Sequence, residues 1–390
     1  MRHAARALLA GLVVWCVTMM EAEAASRLAA QARLEALSFA DLDGWAEDDH
    51  AAAFKAFLRS CRALAAKAAE LRPAQAPEHD LLTVCRAALA NDNPTRSEAR
   101  RFFETHFQPF AVIPHSGSGF LTGYYEPEFQ GSRIPDSRYH VPLLARPEDL
   151  VTIPQGQTLP GIDKGLQAAR RTPTGYEPYP DRAAIEDGGL GALAKPIVYL
   201  SEPAEAFIIH VQGSSRIRLT DGSVMRVAYA GRNGRPYTSI GRVLVQRGEM
   251  DLESMTLEKL MGWLKSHPGP ARELMRQNQS YIFFREADEL APEDGPIGGA
   301  GFPLVPGRSL AVDRQLWAYG LPFWLEGRLP LSLDRSEPLR RLMIAHDTGS
   351  AIVGPARGDF FFGSGEEAGT RAGLLRHAAR FVVLKPKAAQ

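Results

Sequence analysis

Cysteine is scarce in this chain: three in 390 residues, at positions 16, 61 and 85. No His/Cys cluster at zinc spacing accompanies them, so the sequence offers no basis for a structural metal. An excess of charge is absent too, because 45 Lys and Arg balance 45 Asp and Glu. Without a basic block, nucleic-acid binding has no electrostatic footing. There is no G-x-S-x-G elbow, which removes the usual route to a Ser/His/Asp hydrolase. Internal repeats and low-complexity tracts are missing as well. The Gly-rich stretch GSGEEAGTRAG (Gly363–Gly373) lies too close to the C-terminus to open a dinucleotide fold. No cofactor is expected.

What is present is a globular composition, 45% hydrophobic, in a chain long enough for two or three domains. The first residues carry Arg2 and Arg6, then an apolar run from Ala7 to Met20, then small residues ending at Ala24. That pattern reads as a cleavable secretory signal over residues 1–25. The run falls short of the roughly 20 apolar residues of a membrane span. Cys16 lacks the small residues that precede a lipid-modified cysteine, so a soluble periplasmic protein is expected, with outer-membrane association as the alternative. In an oxidising compartment Cys61 and Cys85 could form a disulfide, or remain two buried thiols. Sequence alone leaves that open.

From Ser26 to about Gln108, apolar residues recur every three or four positions, the period of amphipathic helices. Strand-like bursts follow at FLTGYYEPEF, Pro196–Leu200, Ala206–Gln212, Arg216–Leu219 and Val224–Ala230, separated by turn residues. Helical spacing returns in SIGRVLVQRG and LESMTLEKLMGWLKSHPGPARELMRQN. Strands return in SYIFFRE, RSLAVD, LPFWLEG, LRRLMIAHD, GDFFFG and ARFVVLK. Two β-rich regions flanking a helical pair imply two barrels, one inserted into the other.

The chemistry concentrates in HDTGSAIVGPARGDFFFGSG, where Asp347 and Asp359 flank a stretch of mostly small residues. His346 and Asp347 are adjacent, and neighbours in a strand point to opposite faces, so they are not expected to act as one unit. A carboxyl kept protonated by a poorly hydrated site can transfer a proton to a glycosidic oxygen; an aspartate beside glycine can equally serve as a turn residue. GYYEP places Tyr124 and Tyr125 beside a turn, where exposed rings could stack on sugars. The loops VQGSSRIRLTDGS and YAGRNGRPYTSIG carry Gln212, Arg232, Asn233 and Tyr237, side chains suited to hydroxyl and acetamido groups.

The run of motifs GYYEP, VQGS, YAGRNGRPYTSIGRVL, NQSYIFF, AHDTGSAIVG, DFFFGSG and EAGTRAG resembles the membrane-bound lytic murein transglycosylase A family, over roughly residues 119 to 386. The resemblance implies a mainly β protein with helices, of α+β class. A double-psi β-barrel domain would be made from both ends of the mature chain, with a second β-barrel domain inserted between them and a long groove for glycan. The boundaries expected are a signal peptide over 1–25, a helical N-terminal part and the start of the first domain over 26–127, the insert over 128–238, and the rest of the first domain over 239–390.

It further implies that Asp359 is the general acid/base and Asp347 its support. The small residues Gly349, Ser350, Ala351, Gly363 and Gly365 would keep the floor of the site low, and Tyr124, Tyr125, Gln212, Arg232, Asn233 and Tyr237 would meet the substrate. Two departures stand out: Ser350 replaces the family's usual glycine, and the segment between the aspartates is one residue longer. The implied activity is cleavage of the β-1,4 bond between N-acetylmuramic acid and N-acetylglucosamine with formation of 1,6-anhydro ends. A polysaccharide-binding barrel without catalysis, or a hydrolase using water, is the competing expectation. Peptidoglycan strands are the implied partner, with cell-wall synthesis proteins as further candidates, and the chain is expected to be monomeric.

Overall fold

The computed structural model describes residues 26–388 except 92, 155, 253 and 333, so the expected signal peptide and Cys16 lie outside the described residues. Two compact units divide the chain. The first contains the chain up to Gly123, Gly298–Phe362 and the segment from Leu375 onward; the second contains Tyr124–Ile297 and Gly363–Leu374. The second unit is therefore longer than the insert expected over 128–238. The α+β class expected from the sequence holds.

Four strands position the residues of interest: β1 (Phe120–Glu126), β2 (Ser309–Val312), β3 (Ser336–Asp347) and β4 (Arg357–Ser364). They belong to a nine-stranded sheet ordered Ala32–Ala36, Phe107–Pro114, Arg380–Pro386, Pro322–Pro330, β3, β2, β4, β1, Arg376–Ala378. β2 pairs parallel with β3 and antiparallel with β4. Three helices, α1 (His50–Ala65), α2 (His79–Leu89) and α3 (Arg96–His106), share the hydrophobic core of this sheet. Asp49 caps α1 by accepting from the Ala52 amide, and Thr95 with Glu98 forms a capping box on α3.

Their apolar faces meet in an aromatic layer in which Phe57 lies 5.8 Å from Phe103 and 5.7 Å from Phe107. An ion pair ties the N-terminal segment to the sheet. Arg308 donates to both Asp48 oxygens at 2.7 and 2.9 Å, and Asp48 also accepts from the Leu342 amide. Both charges are buried, so losing either partner would strand the other away from water.

The second unit has a six-stranded and a three-stranded sheet. Four helices, α4 (Pro203–Gln212), α5 (Ile240–Gln246), α6 (Leu257–Ser266) and α7 (Pro268–Arg276), share one apolar cluster. α4 corrects the strand expected at Ala206–Gln212. Its β-branched residues resemble a buried strand, but Pro203 starts a helix and Gly213, at φ 85°, ends it in the left-handed conformation. A final helix, α8 (Gly365–Leu374), follows β4.

The question left open at Cys61 and Cys85 is answered by a disulfide between α1 and α2, with Cα atoms 4.9 Å apart. It closes a loop of sequence separation 24. In the chain-entropy model, replacing both cysteines with Ala should cost roughly 3 kcal/mol. Urea unfolding followed by tryptophan fluorescence measures this; an unchanged midpoint would mean that helix packing alone holds the pair together.

Candidate active site

The two aspartates are brought together by strand register. Ala311 of β2 lies opposite Asp359 of β4 in the antiparallel ladder, and opposite Asp347 of β3 in the parallel one. The parallel pairing slips between Leu310 and Ala311: Leu310 faces Ala345, and the next partner is Asp347, so His346 is skipped. Without that bulge His346 would stand opposite Ala311. Paired residues share a sheet face, so both carboxylates lie on the face of Ala311, whose methyl group is the only side chain between them in the register.

His346 turns into the core, 2.7 Å from Ser309 Oγ by its Nδ1 and edge-on to the Phe302 ring, and burial pushes its pKa down to about 3. It is neutral and apart from Asp347, as the strand alternation predicts. Asp347 accepts a 2.7 Å hydrogen bond from the Gly299 amide. A side chain at Gly299 would collide with Tyr319 Oη, which is why the backbone can approach so closely there.

Asp359 keeps part of its surface accessible while its carboxyl sits among dense neighbours. That crowding is the main reason its pKa is raised from 3.8 to about 6. Arg357 and a hydrogen bond from Thr122 act in the opposite direction, and Asp347 adds the smallest push upward. The Thr122 hydroxyl donates to Asp359 Oδ1 at 2.6 Å, and Arg357 Nη2 donates to Thr122 Oγ1 at 2.7 Å. Among the described residues, Oδ2 of Asp359 has no hydrogen-bond partner. The arrangement can therefore hold a proton on one free carboxyl oxygen up to about pH 6.

The loop after Asp347 is held at both ends. Thr348 Oγ1 donates to the Val312 carbonyl, and the Gly354 amide donates to Asp313 Oδ2 at 2.8 Å. Between them Ser350 and Ala351 are exposed, and Gly349 accepts from the Ile352 amide in a turn. Asp313 is itself buried, and burial lifts its pKa.

The other sequence candidates lie in the second unit and divide differently. Tyr124 and Tyr125 are buried, at 9% and 7% exposure, rather than displayed beside a turn. The Tyr125 ring packs on Gly369 of α8, where a Cβ would come within 2.6 Å of it, and the Tyr125 amide donates to Gln212 Oε1. Burial raises the Tyr125 pKa to about 12. Asn233 is also buried: its Nδ2 donates to the Pro180 and Gln279 carbonyls, and its Oδ1 accepts from the Tyr281 and Arg235 amides. All of its capacity is spent on backbone, so it is a strut and not a sugar contact. Arg232 is half-buried and donates to the Arg235 carbonyl, while Tyr237 is half-buried. Gly363 and Gly365, at φ 116° and 85°, make the joint between β4 and α8.

Sequence reasoning missed Thr122, Arg357, Gly299 and Ala311. Arg357 had a signal, since it stands two residues before Asp359 and shares its strand face. Thr122 sits two residues before the tyrosine pair, but nothing local links it to Asp359. In the second unit, Glu126 is 1% exposed and is satisfied by Arg216 at 2.8 Å, Arg226 at 2.9 and 3.1 Å, and Ser364 at 2.6 Å.

Thr122 and Glu126 fall within the family model of the MltA specific insert domain, over residues 120–285, and Ala311, Asp347, Arg357 and Asp359 within that of the 3D domain, over residues 308–385. The crystal structure of a membrane-bound lytic murein transglycosylase from Agrobacterium tumefaciens is 38% identical, covers 90% of this chain and 97% of its own, and superposes with a TM-score of 0.81. Membrane-bound lytic murein transglycosylase A of Escherichia coli (strain K12) is 34% identical over 69% of this chain and 66% of its own length, so the chain spans just under two-thirds of that relative. The crystal structure of E. coli MltA with bound chitohexaose is 29% identical, covers 79% of this chain and 82% of its own, and has a TM-score of 0.58. With the two models in order along the sequence and a relative matched over nearly its whole length, this chain belongs to the membrane-bound lytic murein transglycosylase A family.

Proposed function

We propose that the chain is a peptidoglycan lytic transglycosylase in which Asp359 acts first as acid and then as base. The observation that carries this reading is the Asp359 carboxyl itself: its pKa is pushed to about 6, Oδ1 is tied to Thr122, and Oδ2 is free of protein partners. Protonated Oδ2 gives its hydrogen to O4, the oxygen joining muramoyl C1 to N-acetylglucosamine C4. The C1–O4 bond breaks, the glucosaminyl residue leaves with a 4-hydroxyl, and positive charge develops at C1. The carboxylate then takes the proton of the muramoyl C6 hydroxyl as that oxygen bonds to C1. A 1,6-anhydro ring closes and Asp359 regains its proton, so no water, second catalytic carboxylate or cofactor enters the balance.

Asp347 supports the reaction by its charge. Gly349, Ser350 and Ala351 keep bulk away from the sheet face, while Gln212, Arg232 and Tyr237 remain the candidates for polar contacts to glycan. The family's names, and the oligosaccharide bound to the E. coli relative, support a glycan substrate and work in the cell envelope. The Cys61–Cys85 disulfide fits an oxidising compartment. No helix among the described residues is long and apolar enough to cross a membrane.

Mass spectrometry of digested peptidoglycan tests the reaction: anhydro products lighter by one water are expected. Reducing ends would indicate a hydrolase, and binding without fragments a polysaccharide-binding protein. Asp359→Asn should lose about 10²–10⁴-fold in turnover while still binding glycan. Asp347→Asn should keep measurable activity with its pH optimum moved downward, because a nearby negative charge is gone.

Stability gives an independent check on Asp359. Its folded pKa exceeds the ordinary carboxylate value, so the folded protein holds the extra proton between 3.8 and about 6 and loses stability from this group as pH rises through that window. Asp359→Asn should therefore melt several degrees above wild type at pH 8, with the gain fading toward pH 4. Equal gains at both pH values would mean that the carboxyl is not held in a charge-penalising site.

A further inference from the structure

We infer that Arg357 is a positioning residue that, through Thr122, determines which oxygen of the Asp359 carboxyl carries the working proton. The inference rests on the reading of Asp359 as acid then base. Arg357 and Asp359 are two apart on β4 and share a face. Arg357 donates from Nη2 to Thr122 Oγ1 at 2.7 Å and from Nη1 to the Gly358 carbonyl, and its guanidinium lies 5.5 Å from the centre of the Phe120 ring. These contacts hold the guanidinium on three sides.

A guanidinium has only donors and does not deprotonate at working pH. One lone pair of the Thr122 oxygen is therefore occupied at all times, and the hydroxyl hydrogen goes to Asp359 Oδ1, 2.6 Å away. Oδ1 receives that hydrogen whether Asp359 is charged or neutral. The acid proton belongs to Oδ2, and the same oxygen takes the proton back in the second step. A bare carboxyl would divide its proton between two oxygens, and half of its orientations would point away from the substrate.

The charged groups acting on Asp359 are Arg357 on its own strand and Asp347 on β3, while β1 and β2 contribute Thr122 and Ala311. Arg357 and Thr122 both favour the carboxylate against the burial that opposes it. Removing either should move the Asp359 titration upward. Because Arg357 works on the proton's location through Thr122, the two should not act independently.

The test uses the whole protein with Arg357→Met, Arg357→Lys, Thr122→Val, Thr122→Ser and the double variant Arg357→Met/Thr122→Val. Two readouts are taken: turnover against pH on purified peptidoglycan, and titration of the Asp359 carboxyl by carbon NMR, assigned against Asp359→Asn. Arg357→Met and Thr122→Val should each lower kcat about 10–100-fold with little change in KM, since a misdirected proton is a positioning defect. Both should titrate at higher pH than wild type. The double variant should be no slower than the worse single variant, the sign of one shared route. Thr122→Ser, which keeps the hydroxyl, should recover at least tenfold over Thr122→Val. Arg357→Lys should keep the titration near wild type but recover only part of kcat, because an ammonium lacks the guanidinium fork. Multiplying losses in the double variant, or an unmoved titration in Arg357→Met, would overturn the inference. If Asp359→Asn retained turnover, the acid/base reading would fail instead; if Asp359→Asn were inactive while Arg357→Met matched wild type at every pH, only this inference would fail.

Discussion

The slip between Leu310 and Ala311 is the constraint on which the site depends. A strand pair offers every second residue to a given face, and His346 and Asp347 compete for the position opposite Ala311. One extra residue on β3 settles the competition. It sends the histidine into the core, where burial keeps it neutral, and turns the aspartate to the face that also carries Asp359. The same slip brings Asp347 within reach of the Gly299 amide. Ala311 then matters for what it lacks, because a larger side chain there would lie between the two carboxylates.

Two carboxylates with crowded surroundings, Glu126 and Asp359, illustrate how those surroundings decide a role. Glu126 is matched by two arginines and a serine, and each of its oxygens is occupied. That carboxylate is committed to contacts within its own unit. Asp359 has one hydroxyl on one oxygen and a single nearby cation whose contacts are spent on Thr122 and Gly358. Burial wins over these helpers, so its proton is retained up to about pH 6. The protein carries a cost in stability at the one carboxyl that the proposed reaction uses.

The tyrosine pair shows how a binding motif can be read at the wrong depth. GYYEP looks like an exposed turn because it ends in proline. Its glutamate, however, is anchored to two arginines in the interior, and that anchor draws the preceding residues inward. Tyr125 then fills the space left by Gly369, and Gln212 spends its side-chain oxygen on the Tyr125 amide. These residues shape the second unit from within.

Much of the protein was legible in order along the chain. The helical period of the N-terminal part, the strand set from SYIFFRE to ARFVVLK, the small residues after Asp347 and the sequence of family motifs are local patterns, and local patterns survive in a linear reading. The two aspartates stood out in the sequence for the same reason, as carboxylates among small residues, and the strand register places both opposite Ala311. What tertiary structure decided are matters of register and distance. Cys61 and Cys85 needed two helices side by side before their pairing meant anything. AFIIHVQ read as a strand but forms a helix, started at Pro203 and ended by Gly213. Asn233 looked like a sugar contact until four backbone groups claimed it. Thr122 meets Asp359 across 237 positions of sequence, and no local rule connects residues that far apart. Hydrogen bonds and burial depend on which segments fold against one another, so the sequence determined the parts and their order, while the register of β2 against β3 and β4 determined which side chains could act together.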